Sequence, residues 1–362
     1  MNPSFWSGKR VLVTGHTGFK GGWLALCLRG MGARVWGYAL EPPTTPSLFE
    51  AARVSEGMTS VIADIRDPVE LRQVVADAQP EVVFHLAAQP LVRFSYAEPL
   101  ETFDVNVMGT AHVLQAVLEE GSARAVVAIT SDKCYENREW LWGYREDEPM
   151  GGADPYAASK GAAELLIASY RRSFFDKAGI PLASARAGNV IGGGDWAEDR
   201  IIPDFVRAIT ARQALQIRNP GAIRPWQHVI DPIVGYLLLA ERMYDAPKDF
   251  AQGWNFGPDA GSEQPVQDLI DRLVSHWGDG ARYEIMAQDR SAVHEAHYLK
   301  LDSSKARMRL GWRPRWSFDE ALAATTHWYK AHAAGADMRA FTLAQISGQI
   351  EAPAKVQQNE PA

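Results

Sequence analysis

Two short stretches carry side chains whose types and spacing suit proton transfer. "TSDKCY" (Thr130 to Tyr135) follows the apolar run "RAVVA" and sets a hydroxyl, a carboxylate and an ammonium on the consecutive residues Ser131, Asp132 and Lys133. A hydroxyl in such a place can hydrogen-bond a reacting oxygen, and an acid and a base beside it can deliver and remove protons. "YAASK" puts Tyr156 and Lys160 four apart, hence on one face of a helix and a single turn from each other. An ammonium that close, with a second positive charge beside the ring, would stabilise the phenolate and draw the phenol's pKa down, so that Tyr156 could take a proton from an alcohol. A tyrosine and a lysine at this spacing are, by themselves, usually a solvated helix face. It is the two stretches together that point to chemistry.

Both stretches need a frame, and the first half of the chain supplies its rhythm. Short β-branched runs, "RVLVTG" (10 to 15), "ARVWGYAL" (33 to 40), "TSVIAD" (59 to 64), "EVVFHLA" (81 to 87), "RAVVAIT" (124 to 130) and "PLASARAG" (181 to 188), alternate with longer helical patterns. That alternation predicts an α/β fold of the Rossmann type, a doubly wound parallel sheet with helices on both faces. Strand five of such a sheet ends in the crevice where ligands bind, so Ser131, Asp132 and Lys133 should face a substrate. Helices are expected over Pro99 to Leu118 and Pro155 to Phe175, the second capped by Asp154 with Pro155 at its first position. Beyond Gly192 the rhythm loosens into Gly-, Pro- and Trp-rich loops with single helices at Val266 to Trp277 and Phe318 to Ala333, which predicts a smaller C-terminal α/β domain. Residues 1–188 with about 226–256 should form the cofactor domain, about 189–225 with 257–345 the substrate domain, and 346–362 a flexible tail.

Strand one runs into "TGHTGFKGGWLALCL", with Gly15, Gly18 and Gly21 three apart and an apolar helical pattern behind them. Glycines here allow a sharp turn and a close approach to a pyrophosphate, whose charge then sits on free amides at the helix N-terminus. Thr17 and Phe19 belong to the same loop. The GxxGxxG spacing resembles the extended short-chain dehydrogenase/reductase family, which implies NAD or NADP. On that resemblance Glu41 is the candidate for the adenosine ribose, Asp64 and Ile65 flank adenine, and Ala87, Ala88 and Gln89 of "HLAAQ" lie beside the cofactor. His85 reads as a packed strand histidine. Glu41 favours NAD; Lys20, inside the loop and able to lie beside a phosphate, keeps NADP open.

Composition narrows the partners. A formal charge of -7, from 37 basic and 44 acidic residues, gives none of the positive field that nucleic acid or anionic lipid requires. With 46% apolar residues the chain can build a large core. Two cysteines, Cys27 and Cys134, and an N-terminus lacking the order of a signal peptide make the cytoplasm the expected compartment. No run approaches the ~20 apolar residues that a membrane span needs.

Taken together, the motifs resemble the nucleotide-sugar 4,6-dehydratases of that family, up to about Trp328. Further stretches that carry the likeness are "TGFKGGWL", "EPPTTPSLFE", "RAGNVIGGGDWAEDRIIPD", "IRNPGAIRPWQHV" and "HEAHYLKLDSSKA". Lys133, where dTDP-glucose enzymes carry Glu, looks like the CDP-glucose group. The resemblance implies tightly bound NAD, oxidation of C4 of the hexose of CDP-glucose, loss of water across C5 and C6, and reduction at C6. Ser131, Tyr156 and Lys160 would serve the oxidation, Asp132 and Lys133 would act as acid and base in the elimination, and Asn106 of "NVMGT" fits the remaining polar position. Asn189, Gly194, Asp195 and Trp196 would touch the diphosphate and sugar, Arg200 and Arg224 the phosphates, and Tyr298 the nucleotide pocket. His294 and His297 lack a third ligand, so no metal site is expected. The insert "ENREWLWGYREDEPMGG" is a candidate lid, with surface packing as the alternative. The helices at 99–118 and 155–175 resemble the family's four-helix homodimer interface, and the likeness points downstream to dideoxyhexoses of bacterial surface polysaccharide. Competing readings are a dTDP- or GDP-hexose 4,6-dehydratase, a UDP-hexose 4-epimerase, which would not use Asp132 and Lys133, and a catalytically idle dinucleotide-binding protein.

Overall fold

Apolar runs too short for helices form the central sheet of the computed structural model, which describes residues 1–278, 280–286 and 298–350. The strands are β1 (Arg10–Thr14), β2 (Arg34–Ala39), β3 (Thr59–Ile62), β4 (Val82–His85), β5 (Ala125–Ile129), β6 (Leu182–Ala187) and β7 (Gly253–Phe256). All pair in parallel, in the spatial order β7-β6-β5-β4-β1-β2-β3. Helices cover both faces, which is why β4, β5 and β6 are buried at every position and read as continuous rather than alternating apolar runs. Six of the strands were legible as β-branched runs. The seventh, "GWNF", is too short and too mixed to announce itself.

Strand order reverses between β1 and β4. The register opposes Thr14 to His85, His85 to Ala128, and Ile129 to Ala185, so these strands end nearly level. Gly15, Leu86, Thr130 and Gly188 therefore emerge along one edge, at the switch point where open α/β sheets bind ligands.

Helix α1 (Phe19–Gly30) follows β1 and is buried all round from Gly21 to Leu28. The predicted 99–118 helix is continuous but mixed: Pro99–Phe103 is α-helical, Asp104–Gly109 is π-helical, and α2 (Thr110–Glu120) completes it. Helix α3 (Pro155–Tyr170) begins as the sequence predicts, with the Asp154 carboxylate accepting from the Ala157 amide at 2.8 Å, and ends in a π-turn over Arg171–Phe175. Past β6, three two-stranded pairings occur among the described residues, one of which joins Ile223–Pro225 to Glu263–Pro265 in antiparallel. Helix α4 (Phe318–Ala333) has the full capping box of Ser317 and Glu320, and its Trp328 ring fills the space that a side chain at Gly193 would need. Helix α5 (Met338–Ile350) corrects the expected tail: Ile346 is buried, so the helix runs five residues into the segment read as flexible. Residues 351–362 of that tail lie outside the described residues. No helix among the described residues is long and apolar enough to cross a membrane.

Candidate active site

The glycine loop is built to bring backbone close to a ligand. Gly15 has φ of +78°, and a β-carbon on it would stand 2.7 Å from the Ala87 nitrogen; one on Gly21 would stand 2.0 Å from the Gly15 carbonyl. Gly18 caps α1 without a side-chain hydrogen bond, which leaves the first amides of the helix open. Together these features fit a pyrophosphate on the loop. Thr17 donates to the Leu40 carbonyl at 2.8 Å and fastens the loop to the end of β2, two residues past which Glu41 stands exposed. Phe19 reaches across to Gly192.

The flanking positions are equally defined. Asp64 is held below the usual carboxylate range: burial opposes ionisation, but Arg66 outweighs it through side-chain hydrogen bonds of 2.6 and 2.9 Å and a backbone bond of 2.8 Å. Ile65 is buried against Gly109. The amides of Leu86 and Ala87 donate to Thr14 Oγ1, and half-buried Ala88 and Gln89 continue along the crevice. His85 lies between Thr14 at 2.7 Å and Thr110 at 2.9 Å; burial, and secondarily Lys160, push its pKa down to about 3. It is a neutral packing group, as its place in the strand predicts.

The fold brings Ser131, Asp132, Tyr156 and Lys160 into one buried cluster. Asp132–Cys134 is a single turn of 3-10 helix, capped by the Ser131 hydroxyl, which accepts from the Lys133 amide at 3.3 Å and donates to Asp132 Oδ1 at 2.9 Å. Ser131 also hydrogen-bonds the Tyr156 phenol. Lys133 is half-buried beside them.

The protein's own groups do not by themselves lower the phenol's pKa. Burial pushes Tyr156 up to about 12, against the Ser131 hydrogen bond and Arg200. Burial, and then the neighbouring Lys20 ammonium, push the pKa of Lys160 down to about 8.

Lys20 is also placed otherwise than the NADP alternative requires. Its charged neighbours include Arg200, Asp132, Asp195 and Lys160, inside the crevice; burial, then Arg200, bring it to about 8. Asn106 lies behind the cluster, its amide donating to the Gln89 carbonyl at 3.0 Å and Ser159 Oγ at 2.9 Å while its oxygen accepts from the Gln89 amide at 2.9 Å. It joins the β4 loop to α3 instead of presenting a free polar group.

On the opposite wall, Arg200 pairs with buried Asp195 at 2.8 Å, and the Asp195 carbonyl accepts from Tyr329. Gly194, at φ +83°, packs on Leu48, and the Trp196 ring meets Tyr329 edge-on at 5.1 Å. The Asn189 carbonyl accepts from the Gln227 amide at 3.1 Å. Arg224 opposes Gln264 in the small antiparallel pair, whose Pro225 and the Asp132 carboxylate both border Gly188. Tyr298 sits farther along, its hydroxyl at 3.4 Å from Glu263 and Lys300 over its ring. His294 and His297 lie outside the described residues, among which no group of metal-ligating side chains occurs.

A family model described as GDP-mannose 4,6 dehydratase matches residues 12–325. The chain belongs to this family. Within the dehydratase family, the chain is 54% identical, over 97% of its own length and 99% of the relative's, to CDP-glucose 4,6-dehydratase of Salmonella typhimurium. Its fold matches a dTDP-glucose 4,6-dehydratase of Streptomyces venezuelae, solved with NAD and TYD bound, at TM-score 0.76 and 24% identity over 90% of this chain and 98% of that one. A UDP-glucose 4-epimerase of Thermotoga maritima, solved with UDP-glucose, matches at TM-score 0.77 and 21% identity over 89% and 99%.

Sequence reasoning missed the buried pair Glu164–Arg186, 2.7 Å apart beneath the cluster. The signals were present: Glu164 is one turn past Lys160, and Arg186 is a charge inside a strand that is otherwise apolar or small.

Proposed function

We propose that the protein is a CDP-glucose 4,6-dehydratase, a hydro-lyase that converts CDP-glucose to CDP-4-keto-6-deoxyglucose and water. The observation that carries this reading is the Ser131–Asp132–Lys133 turn set against Tyr156 at the switch point, in a chain 54% identical to the Salmonella enzyme. The Gly15–Gly21 loop would hold NAD, which would supply the redox chemistry, a hydride acceptor for C4 and a hydride donor for C6.

The chain's own residues move protons. Tyr156, hydrogen-bonded to Ser131, receives the O4 proton as the C4 ketone forms. That ketone acidifies the hydrogen on C5. Lys133 removes it while Asp132 protonates O6, so the C6–O6 bond breaks, water leaves and a C5–C6 double bond remains. Reduction at C6 with a proton returned to C5 completes the product, and the net change is one water lost. Lys160 steadies the phenolate; Lys20 and Arg200, charged and inside the crevice, suit the substrate diphosphate, with Asn189, Gly194, Asp195 and Trp196 around it and Arg224 and Tyr298 toward the nucleoside.

Residues 1–188 with about 226–256 would carry the cofactor, and about 189–225 with 257–345 the sugar nucleotide. A homodimer is supported by Leu100, Phe103, Met108, Leu165 and Phe174, large apolar side chains exposed along the two helices expected to pair. Two free buried cysteines suit the reducing cytoplasm.

Incubation with CDP-, dTDP-, UDP- and GDP-hexoses, followed by the ultraviolet absorbance of a 4-keto-6-deoxy sugar in alkali, tests the reading. Product from CDP-glucose above the others is expected; epimerised UDP-hexose without water loss would refute it.

A further inference from the structure

Behind the reacting corner lies a polar network that proton transfer does not use. Glu164 is buried and accepts from Thr130 at 2.5 Å, from Ser184 at 2.7 Å, and from Arg186 through Nε at 2.9 Å and Nη2 at 2.7 Å. The remaining nitrogen, Arg186 Nη1, donates to the Tyr135 hydroxyl at 2.5 Å and to the Glu146 carbonyl at 3.0 Å. Tyr135 donates onward to Asn255 Oδ1 at 2.8 Å, and its ring stacks on Tyr144 with centroids 5.2 Å apart. Asn255 closes the circuit, its backbone amide donating to the Glu146 carboxylate at 3.0 Å and its side chain to the Tyr144 carbonyl at 2.8 Å.

One guanidinium thus ties together α3, the ends of β5 and β6, β7, and the base of the insert. Burying an ion pair this deep gives up hydration that attraction barely restores, and well-packed apolar residues are often as stable or more so. Stability alone therefore does not account for it. Geometry does: Tyr135 is the residue that closes the turn Asp132–Cys134, so what fixes Tyr135 fixes the direction of both reacting side chains.

Building on the dehydratase reading, we propose that Tyr135 and Arg186 are positioning residues for the elimination step. The guanidinium, neutralised by Glu164, holds the Tyr135 hydroxyl, and Tyr135 holds the turn that aims Asp132 and Lys133 at O6 and C5. Oxidation at C4 depends on Tyr156 and Ser131 and is left largely unaffected.

Tyr135→Phe deletes one oxygen, and Arg186→Lys keeps the charge that Glu164 requires; if the second fails to fold, the first decides alone. Each variant is expected to oxidise CDP-glucose at C4, seen as reduced nicotinamide absorbance, at a rate near wild type. Release of the 4-keto-6-deoxy sugar should slow by about tenfold or more. Exchange of solvent deuterium into C5 should fall in parallel, with KM within about twofold. Tyr236→Phe, which removes a buried hydroxyl lacking a partner among the described residues, should leave both rates unchanged. Equal slowing of oxidation and elimination, or elimination at the wild-type rate in Tyr135→Phe, would overturn the positioning role alone. A wild-type protein that makes no 4-keto-6-deoxy sugar from any nucleotide hexose would overturn the dehydratase reading, and the positioning role with it.

Discussion

Two lysines and a tyrosine meet in this crevice, and burial is the largest influence on each. Lys20 and Lys160 are each brought to about 8 because the site takes their charges out of water and sets them near each other or near Arg200. Tyr156 moves the other way, to about 12, since the same burial disfavours its phenolate. Positive charge brought by the dinucleotide would oppose that burial and ready the tyrosine for proton transfer. Tyr156→Phe keeps the ring and removes only the proton acceptor, so it should lower the rate of C4 oxidation about a hundredfold or more while leaving the dissociation constant for CDP-glucose within a few-fold. Rapid mixing for the first and calorimetry for the second would check this. The presence of Tyr156, Lys160 and the Ser131 turn was legible in the sequence, because spacing on a helix and position at a strand end are local. The size of the burial effect on the tyrosine was not, since it depends on how deeply the crevice is enclosed.

Among the elements, β1 and α1 do the most to define the cofactor edge. Their junction leaves no room for side chains at Gly15 and Gly21, and the second position is the tighter. Gly21→Ala should push the Gly15 carbonyl out of line and weaken NAD binding by roughly tenfold to a hundredfold, about 1–3 kcal/mol, measured as cofactor retained after gel filtration. Periodicity located this junction well, as it did Val266–Trp277 and Phe318–Ala333, whose bounds the structure reproduces. It did worse where tertiary contacts decide. β7 is recruited by pairing with β6, the π-helical stretch Asp104–Gly109 places Asn106 against Gln89 and Ser159, and α5 extends through Ile346 because that side chain finds a buried seat. The insert likewise has its base pinned. Tyr144 is buried and bridged to Leu301, while Leu141 and Trp142 stand exposed.

At the scale of the whole molecule, the C-terminal segment is fastened to the Rossmann core through Asp231, at the start of helix Ile230–Asp245. Its carboxylate accepts from the Arg315 amide at 2.8 Å and its carbonyl from Trp312 Nε1 at 2.9 Å. Burial, opposed by the Arg315 hydrogen bond, raises its pKa from 3.8 to about 7. Between those values the native state keeps a proton that the unfolded chain has released, so Asp231 contributes most at low pH and its contribution is lost as pH rises toward 7. Asp231→Asn should gain melting temperature relative to wild type by several degrees across that interval, as followed by thermal denaturation at stepped pH. A constant difference would contradict the assignment.

The central claim is that an acid and a base on one turn expel water after C4 has been oxidised. Its most direct test is single-turnover mixing of CDP-glucose with Asp132→Asn and with Lys133→Ala, following nicotinamide absorbance and the sugar product together. The account predicts that both variants form reduced nicotinamide and then stall, releasing little 4-keto-6-deoxy sugar. Turnover at the wild-type rate in either one would contradict it.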